Sequence, residues 1–335
     1  MNNYHLISII IPTYNEKDNI ANCLNSIFRQ RYPREKLEVF IVDAGSSDNT
    51  LELAQNFPVR ILENRRKDPE IAKMIGLKQA KGDLFFYLDA DIELVGDYWF
   101  ENILKPFIRH DNLAGVFPRF VPKKSDYAIS RFLRYHPLEL DPILQFFCTE
   151  IKDTVVENDA DYKICEFIPP RVPPIGICLY KRDILIKAIS EHEKFMDIDV
   201  PVILAKKGFN RFAYVSQCGI YHPNVKNLNE LIKKRLRNIY HIYLPNISTR
   251  QFTYFPSKYG VKNLIKIGLC ILYAESFIFS FLKGCYGMLK YKDVALLYES
   301  IVAFSLVNAI IFNLLRHREG QRFIRKCLFG KIRYK

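Results

Sequence analysis

The eight cysteines of this 335-residue chain, Cys23, Cys148, Cys165, Cys178, Cys218, Cys270, Cys285 and Cys327, contain no Cys-x-x-Cys and stand mostly among apolar residues. That pattern excludes a zinc framework and argues against a disulfide scaffold. It predicts reduced, buried thiols in a protein that faces the cytosol. Met1 to His5 has no basic stretch, and the apolar run after it stops at Pro12, so a strand is expected there and no secretion signal. Acidic residues are scarce in the last third. Residues 226–335 hold 20 basic and 5 acidic side chains, whereas residues 1–225 hold 29 and 31. A near-neutral body with a basic last third implies an anionic partner for that third. The basic residues are interleaved with long apolar runs and accompany no nucleic-acid-binding motif, so the expected partner is an anionic membrane surface and no nucleic acid.

What is present is an alternation of short apolar runs and helical stripes. Leu6 to Ile11 reads as a buried strand closed by Pro12, where a missing N–H fits a strand end. Thr13 and Glu16 stand at capping-box spacing, and Ile20, Leu24, Ile27 and Phe28 form a helical stripe behind them. A second strand, Leu37 to Val42, follows about 30 residues after the first, as a βαβ unit requires. Val59 to Leu62, Leu84 to Leu88 and Ala114 to Phe117 continue the series, with helices expected from Glu70 to Gln79 and from Tyr98 to Phe107. The expected architecture is α/β with a mostly parallel, Rossmann-like sheet over residues 1–225, then a basic, apolar helical region over 226–335. Two strands end in acids: Val42-Asp43 and Leu88-Asp89-Ala90-Asp91. Ligands of open α/β sheets bind at the carboxyl ends of the strands. A pair of aspartates there suits a hard divalent cation, Mg²⁺ or Mn²⁺, which also accepts phosphate oxygens.

Four segments in order, Pro12-Thr13-Tyr14-Asn15-Glu16, Val42 to Thr50, Gly76 with Ala80-Lys81-Gly82-Asp83, and Leu88 to Asp91, resemble the signature of family 2 glycosyltransferases. The resemblance implies an inverting, metal-dependent enzyme of GT-A fold that uses a nucleotide-diphosphate sugar. It implies that Asp91 is a metal ligand, with His222 a second, and that Asp89 serves the ribose or the metal shell. Tyr14 would cover the base ring and Asp43 accept a hydrogen bond from it, with Pro12 and Glu16 in the same motif. Lys73 matches a basic position near the nucleotide. Phe195-Met196-Asp197-Ile198-Asp199 resembles the late acidic motif and puts Asp197 on the catalytic-base position, as general base on an acceptor hydroxyl. Met196 and Ala44 replace acids that are usual in the family. A lipid-phosphate acceptor, already anionic, would need no base.

Processive relatives carry Gln-x-x-Arg-Trp where this chain has Lys234-Arg235-Leu236-Arg237-Asn238, which argues against a polymer-extruding synthase. Arg235 or Arg237 remains a candidate for the diphosphate. Ile265 to Leu282 and Val294 to Leu315 are nearly long enough to cross a bilayer, yet each carries a mid-segment acid, Glu275 and Glu299. A pair of helices in or near the cytoplasmic membrane surface is therefore expected, with the basic tail from Arg316 to Lys335 attracted to anionic lipid. The function expected is transfer of a sugar to a glycan or lipid-linked acceptor. The alternatives are a polyprenyl-phosphate sugar synthase, a silent anion-binding scaffold, and a sugar-nucleotide pyrophosphorylase. The last would need a Gly-rich loop after the first strand, where Pro12-Thr13-Tyr14 stands.

Overall fold

The computed structural model describes residues 4–222, 225–246, 249–254 and 261–329. The chain divides into two compact units. Unit 1 comprises Met1–Phe120 and Thr149–Pro223, and unit 2 comprises Val121–Cys148 and Asn224–Lys335.

Unit 1 is built on ten strands: β1 (Ile7–Thr13), β2 (Leu37–Asp43), β3 (Val59–Glu63), β4 (Leu84–Tyr87), β5 (Glu93–Leu94), β6 (Gly115–Phe120), β7 (Val155–Asn158), β8 (Lys163–Glu166), β9 (Leu179–Lys181) and β10 (Arg211–Tyr221). The sheet order is β3-β2-β1-β4-β9-β6-β10-β8-β7, with β5 on β10. The four strands from β3 to β4 run parallel. Beyond them, β9 pairs antiparallel with both β4 and β6. Helices α1 (Ile20–Phe28), α2 (Thr50–Ala54), α3 (Pro69–Gln79), α4 (Trp99–Arg109), α7 (Arg182–Ile189) and α8 (Val200–Lys206) complete this unit. The expected α/β fold is the one observed, with its parallel strands gathered from β3 to β4.

The central strands are buried end to end, which is why β1 and β4 read as unbroken apolar runs. Pro12 lies inside β1, paired with Val42. The β4 partner ends opposite Ile10, and the Ile10 carbonyl faces β4 while the Thr13 carbonyl faces the β2 side. By alternation the donor that Pro12 lacks would point past the end of β4. Two glycines set how closely the layers approach. A Cβ on Gly76 would strike the Ile10 side chain, and one on Gly82 would sit 2.7 Å from the Leu6 carbonyl.

The expected capping box does not form. Helix α1 starts only at Ile20; Thr13 Oγ1 donates to the Ile11 carbonyl, and Glu16 Oε2 accepts from Asn19 Nδ2 at 2.7 Å. The segment in between is pulled away from helix geometry by the loop after β2. Asn15, at φ 55°, donates its N–H to Ser46 Oγ at 2.9 Å and accepts from the Ser47 N–H at 2.9 Å, while the Glu16 N–H donates to Thr50 Oγ1 at 2.7 Å. Strand β10 is continuous, but its register on β6 slips between Tyr214 and Gly219. The exposed Ser216-Gln217 pair sits in that bulge.

Unit 2 is helical: α5 (Ala128–Arg134), α6 (Pro142–Phe147), α9 (Leu228–Arg237), α10 (Leu244–Asn246), α11 (Val261–Glu275), α12 (Ile278–Tyr291), α13 (Tyr298–Arg316) and α14 (Arg318–Phe329). Its core joins Ile129, Phe132 and Leu133 of α5 to Val302, Ala303 and Leu306 of α13. Arg131 Nε and Nη2 reach Asp293 at 2.7 and 3.0 Å, and the Tyr135 hydroxyl donates to the same carboxylate at 2.9 Å. The apolar segment from Ile265 to Leu282 is not one helix. It breaks around Phe277, at φ 56°, and α11 and α12 bend by 71°. The acids that argued against a lipid environment are partnered within the unit. Glu299 accepts from the Tyr273 hydroxyl at 2.5 Å and from Lys283 at 2.8 Å, and Glu275 accepts from Asn308 at 2.7 Å. Lys331, Arg333 and Lys335 of the basic tail lie outside the described residues, as do Met1 to Asn3.

Candidate functional site

Strands β1, β2 and β4 all end on one edge of the parallel half, and that edge gathers the acids. Asp43, at the end of β2, is buried. Its Oδ2 accepts from the Gly45 and Ser46 N–H groups at 2.8 and 2.9 Å, and its Oδ1 accepts from Ser46 Oγ at 2.5 Å. The carboxylate thereby fixes the Gly-Ser turn whose Ser46 and Ser47 hold Asn15. Gly45 is required there because the turn takes φ to 87°. Tyr14, beside that clasp, is 53% exposed, and the Lys67 ammonium lies 5.9 Å from its ring centroid. Pro12, two residues before Tyr14, is half-buried.

Asp89 and Asp91 follow β4, both half-buried. Asp91 Oδ2 lies 3.4 Å from Nε2 of His222, the residue after β10. The His222 ring packs at 6.1 Å from Phe120, which keeps the imidazole on this edge. Glu16 belongs to the same field. Burial raises its pKa first, and Asp91, Asp89 and Asp48 raise it further.

A buried lysine and a half-buried aspartate join distant parts of the chain. Lys73, from α3, is 2% exposed and places its ammonium 2.5 Å from Asp197 Oδ1 and 3.5 Å from Glu70 Oε2. It also lies 4.7 Å from the Tyr87 ring centroid, a cation–π distance. Helix α3 starts on Asp68, which accepts from the Glu70 and Ile71 N–H groups, and one turn of helix carries Glu70 to Lys73. Phe195, buried against Phe85 and Tyr87, anchors the segment that delivers Asp197. Burial pushes the Asp197 carboxyl up to about 6, with Lys73 opposing and Asp89 adding to the rise. Burial and then Asp197 push Glu70 up to about 8 against the pull of Lys73. Burial alone would lower the lysine, but Asp197, Glu70 and Asp89 hold it above its ordinary value, so it stays charged.

The geometry therefore brings Asp91 together with His222, and Lys73 together with Asp197; Glu16 feels Asp91 and Asp89, and Asp89 acts on the Lys73–Asp197 pair. Lys73, expected beside the nucleotide, has its charge taken up by carboxylates in this structure. Arg235, read as a candidate for the diphosphate, lies in unit 2 and pairs with Asp141 at 2.5 Å. Glu70 was missed by sequence reasoning. Its position three residues before Lys73 on a helix was the available signal. Among the described residues no three His, Cys, Asp or Glu side chains converge as a ready-made metal cage. One carboxylate and one imidazole do converge. That donor set fits a divalent ion whose remaining ligands are phosphate oxygens and water, the usual habit of Mg²⁺ and accessible to Mn²⁺.

Residues 8–160 match the profile described as Glycosyl transferase family 2. The glycosyltransferase AglE of Haloferax volcanii is 38% identical over 91 residues, which is 25% of this chain and 30% of that protein. The dolichyl N-acetyl-alpha-D-glucosaminyl phosphate 3-beta-D-2,3-diacetamido-2,3-dideoxy-beta-D-glucuronosyltransferase of Methanococcus voltae is 37% identical over 106 residues, 30% of this chain and 33% of that one. The aligned stretch thus spans about a third of each of these relatives. Among solved structures, a mannosyltransferase from Pyrobaculum calidifontis, in complex with GDP-Man and Mn²⁺, superposes with a TM-score of 0.51 at 17% identity. The match covers 95% of this chain and 89% of that one, so the fold is shared. Residues 8–160, which carry the acids named at the sheet edge except Asp197, are thus similar to glycosyl transferase family 2 over a little under half of the chain.

Proposed function

We propose that unit 1 moves a sugar, with inversion, from a nucleotide-diphosphate donor to a hydroxyl of a glycan or lipid-linked acceptor at the cytoplasmic face of a membrane. The observation that carries this reading is the closure of Asp91 on His222 beside the Lys73–Asp197 pair, on the edge where β1, β2 and β4 end. Asp91 and His222 are the residues to hold Mg²⁺ or Mn²⁺, which when bound would offset the charge growing on the departing diphosphate. The excess of carboxylates over cations at this edge favours a cation there. The mannosyltransferase that shares the fold was solved with Mn²⁺, which supports the same choice.

The chain's own residues do the rest. Tyr14, exposed at the edge, is placed to cover the base ring, and Asp43 holds the adjoining turn with a lone pair left for the base. Pro12 and Glu16 wall this end, and Asp89 would serve the ribose or the metal shell. Asp197 takes the proton from the acceptor hydroxyl as its oxygen bonds to the anomeric carbon and the carbon–oxygen bond to the diphosphate breaks. A carboxyl raised to about 6 is ionised at neutral pH yet basic enough to take that proton. This favours a hydroxyl nucleophile over a lipid phosphate. Lys73 orients Asp197, and Glu70 stands behind the lysine.

The membrane side of the reading is supported by unit 2. Val294–Arg316 is long and apolar enough to cross a membrane, but 44% of its apolar window is buried, and the buried Glu299 network ties it to α11 and α12. Leu269, Leu272, Phe279, Phe281 and Leu289 point outward, with Lys290 and Lys292 among them. A surface of that kind suits a position in the interface. The relative whose name contains dolichyl phosphate supports a lipid-linked acceptor. UDP-, GDP- and other nucleotide sugars, offered with Mg²⁺ or Mn²⁺, test the assignment. Metal-dependent release of a nucleoside diphosphate from one of them is expected. Absence of both turnover and binding for every donor would leave the silent-scaffold reading instead.

A further inference from the structure

Lys73 faces two carboxylates, and the sugar-transfer reading gives chemistry to only one of them. Asp197 Oδ1 lies 2.5 Å from the ammonium and Glu70 Oε2 lies 3.5 Å from it. The lysine side chain is 2% exposed, whereas Glu70 and Asp197 keep 24% and 26% of theirs open to solvent. The charged and titratable groups that face Glu70 are Lys73 on its own helix, Asp197 beyond Phe195, and Tyr87 and Asp89 at the end of β4. Tyr180, on β9, faces Asp197. Two ionised carboxylates on this one buried cation would leave a surplus negative charge beside Asp89, so one of the two holds a proton. The contact lengths say which. The shorter one marks Asp197 as the anion and Glu70 as the acid. Burial and the Asp197 charge, which hold Glu70 up at about 8, agree.

The roles reverse once Asp197 takes up a proton. Lys73 would then stand buried as a cation between two neutral carboxyls, which is a costly state. Glu70 is placed to relieve it. It lies in the first turn of α3, where the helix N-terminus favours a negative charge, and the helix holds it one turn from the lysine. Its backbone carbonyl accepts the Phe195 N–H at 3.0 Å, which ties it to the segment that carries Asp197.

We infer that Glu70 and Asp197 hold a single proton between them on Lys73, and that Glu70 gives up its proton as Asp197 takes that of the acceptor hydroxyl. The inference rests on Asp197 being the base of the sugar-transfer reading. In that step the acceptor O–H bond breaks toward Asp197 and the oxygen bonds to the anomeric carbon. The diphosphate leaves with the electron pair of the carbon–oxygen bond. The Glu70 proton passes to water, so one proton is released per sugar moved and Lys73 keeps one anionic partner throughout. Return of the Asp197 proton to Glu70 resets the site. Glu70 acts through Lys73 and is a positioning residue.

Infrared difference spectroscopy of the full chain, with its glutamate carboxyls isotope-labelled, tests the shared proton. These readings need no donor, so they hold or fail independently of the sugar-transfer reading. A protonated glutamate band is expected at neutral pH, titrating away through about 8 and missing from Glu70→Gln. Asp197→Asn imitates the protonated base, and in it the band should be gone at neutral pH, because Glu70 has become the anion of the lysine. Should Glu70→Gln not fold, the labelled native chain and Asp197→Asn carry the test alone. With a donor that turns over, Glu70→Gln should lower kcat at least tenfold at unchanged KM, and Glu70→Asp should regain most of it. No protonated glutamate in the native chain at neutral pH, a band that persists in Asp197→Asn, or full kcat in Glu70→Gln would each overturn the inference.

Discussion

The two units solve opposite problems with charge. In unit 1, carboxylates are concentrated on one sheet edge and left under-neutralised, with Lys73 as the cation buried among them. In unit 2, among the described residues, half-buried Asp293 is matched by Arg131 and Tyr135, and buried Glu299 and Asp141 by Lys283 with Tyr273 and by Arg235. A matched buried pair serves the fold, because removing one partner strands the other. An edge with surplus charge is held in place by the fold and answers to a ligand. The contrast predicts that substitutions at the edge change catalysis with little effect on folding, while substitutions in unit 2 do the reverse. Lys73 is the residue that belongs to both categories.

The largest separation is expected at Asp197. Asp197→Asn should lower kcat by roughly a hundredfold to a thousandfold with KM changed little. In the native enzyme the rate should rise with pH through about 6, as the carboxyl ionises, and the variant should lose that limb. A change in KM alone would make Asp197 a structural cap. Lys73→Met should break the contrast, because it removes the charge that both Asp197 and Glu70 face. A stability loss of about 3 kcal/mol by denaturant titration is expected, together with a lower kcat. Full stability with normal kcat would show that the pair does neither job.

In unit 2 the Arg131–Asp293 pair gives the cleanest acid test. Hydrogen bonding from Arg131 holds the Asp293 carboxyl down at about 2, so its contribution is fully present above the ordinary carboxylate range and is lost as pH falls from about 4 through 2. That shift corresponds to about 2 kcal/mol. Asp293→Asn should flatten this part of the stability profile and leave donor turnover intact at neutral pH. The smallest effect concerns the membrane. Binding of the full chain to anionic vesicles should weaken about tenfold when salt screens the basic residues. Binding that ignores both salt and lipid charge would favour a purely apolar attachment.

The parallel half of the sheet was legible in the sequence because its strands are buried on both faces and read as apolar runs such as Ile7 to Ile11 and Leu84 to Leu88. The acids at the strand ends were legible because strand ends and family motifs coincide at Asp43 and Asp91. The start of α1 was not, since Thr13 and Glu16 fit a capping box locally, and only the loop after β2, through Ser46, Ser47 and Thr50, draws them off. The bend near Phe277 was hidden for a similar reason. Hydropathy runs unbroken through it, and a left-handed φ leaves no mark on composition. Glu70 escaped because a helix-start acid looks ordinary until the fold brings Asp197 to the lysine it also faces.

The central claim is that the Asp91–His222 edge holds a divalent ion together with the donor diphosphate. Titrating Mn²⁺ into the native chain and into Asp91→Asn, with and without a nucleoside diphosphate, and reading free Mn²⁺ by its paramagnetic resonance tests this without relying on turnover. The account predicts tight Mn²⁺ binding that needs the nucleotide and weakens at least tenfold in Asp91→Asn, with the fold unchanged by circular dichroism. Equal, nucleotide-dependent Mn²⁺ affinity in the two proteins would contradict it.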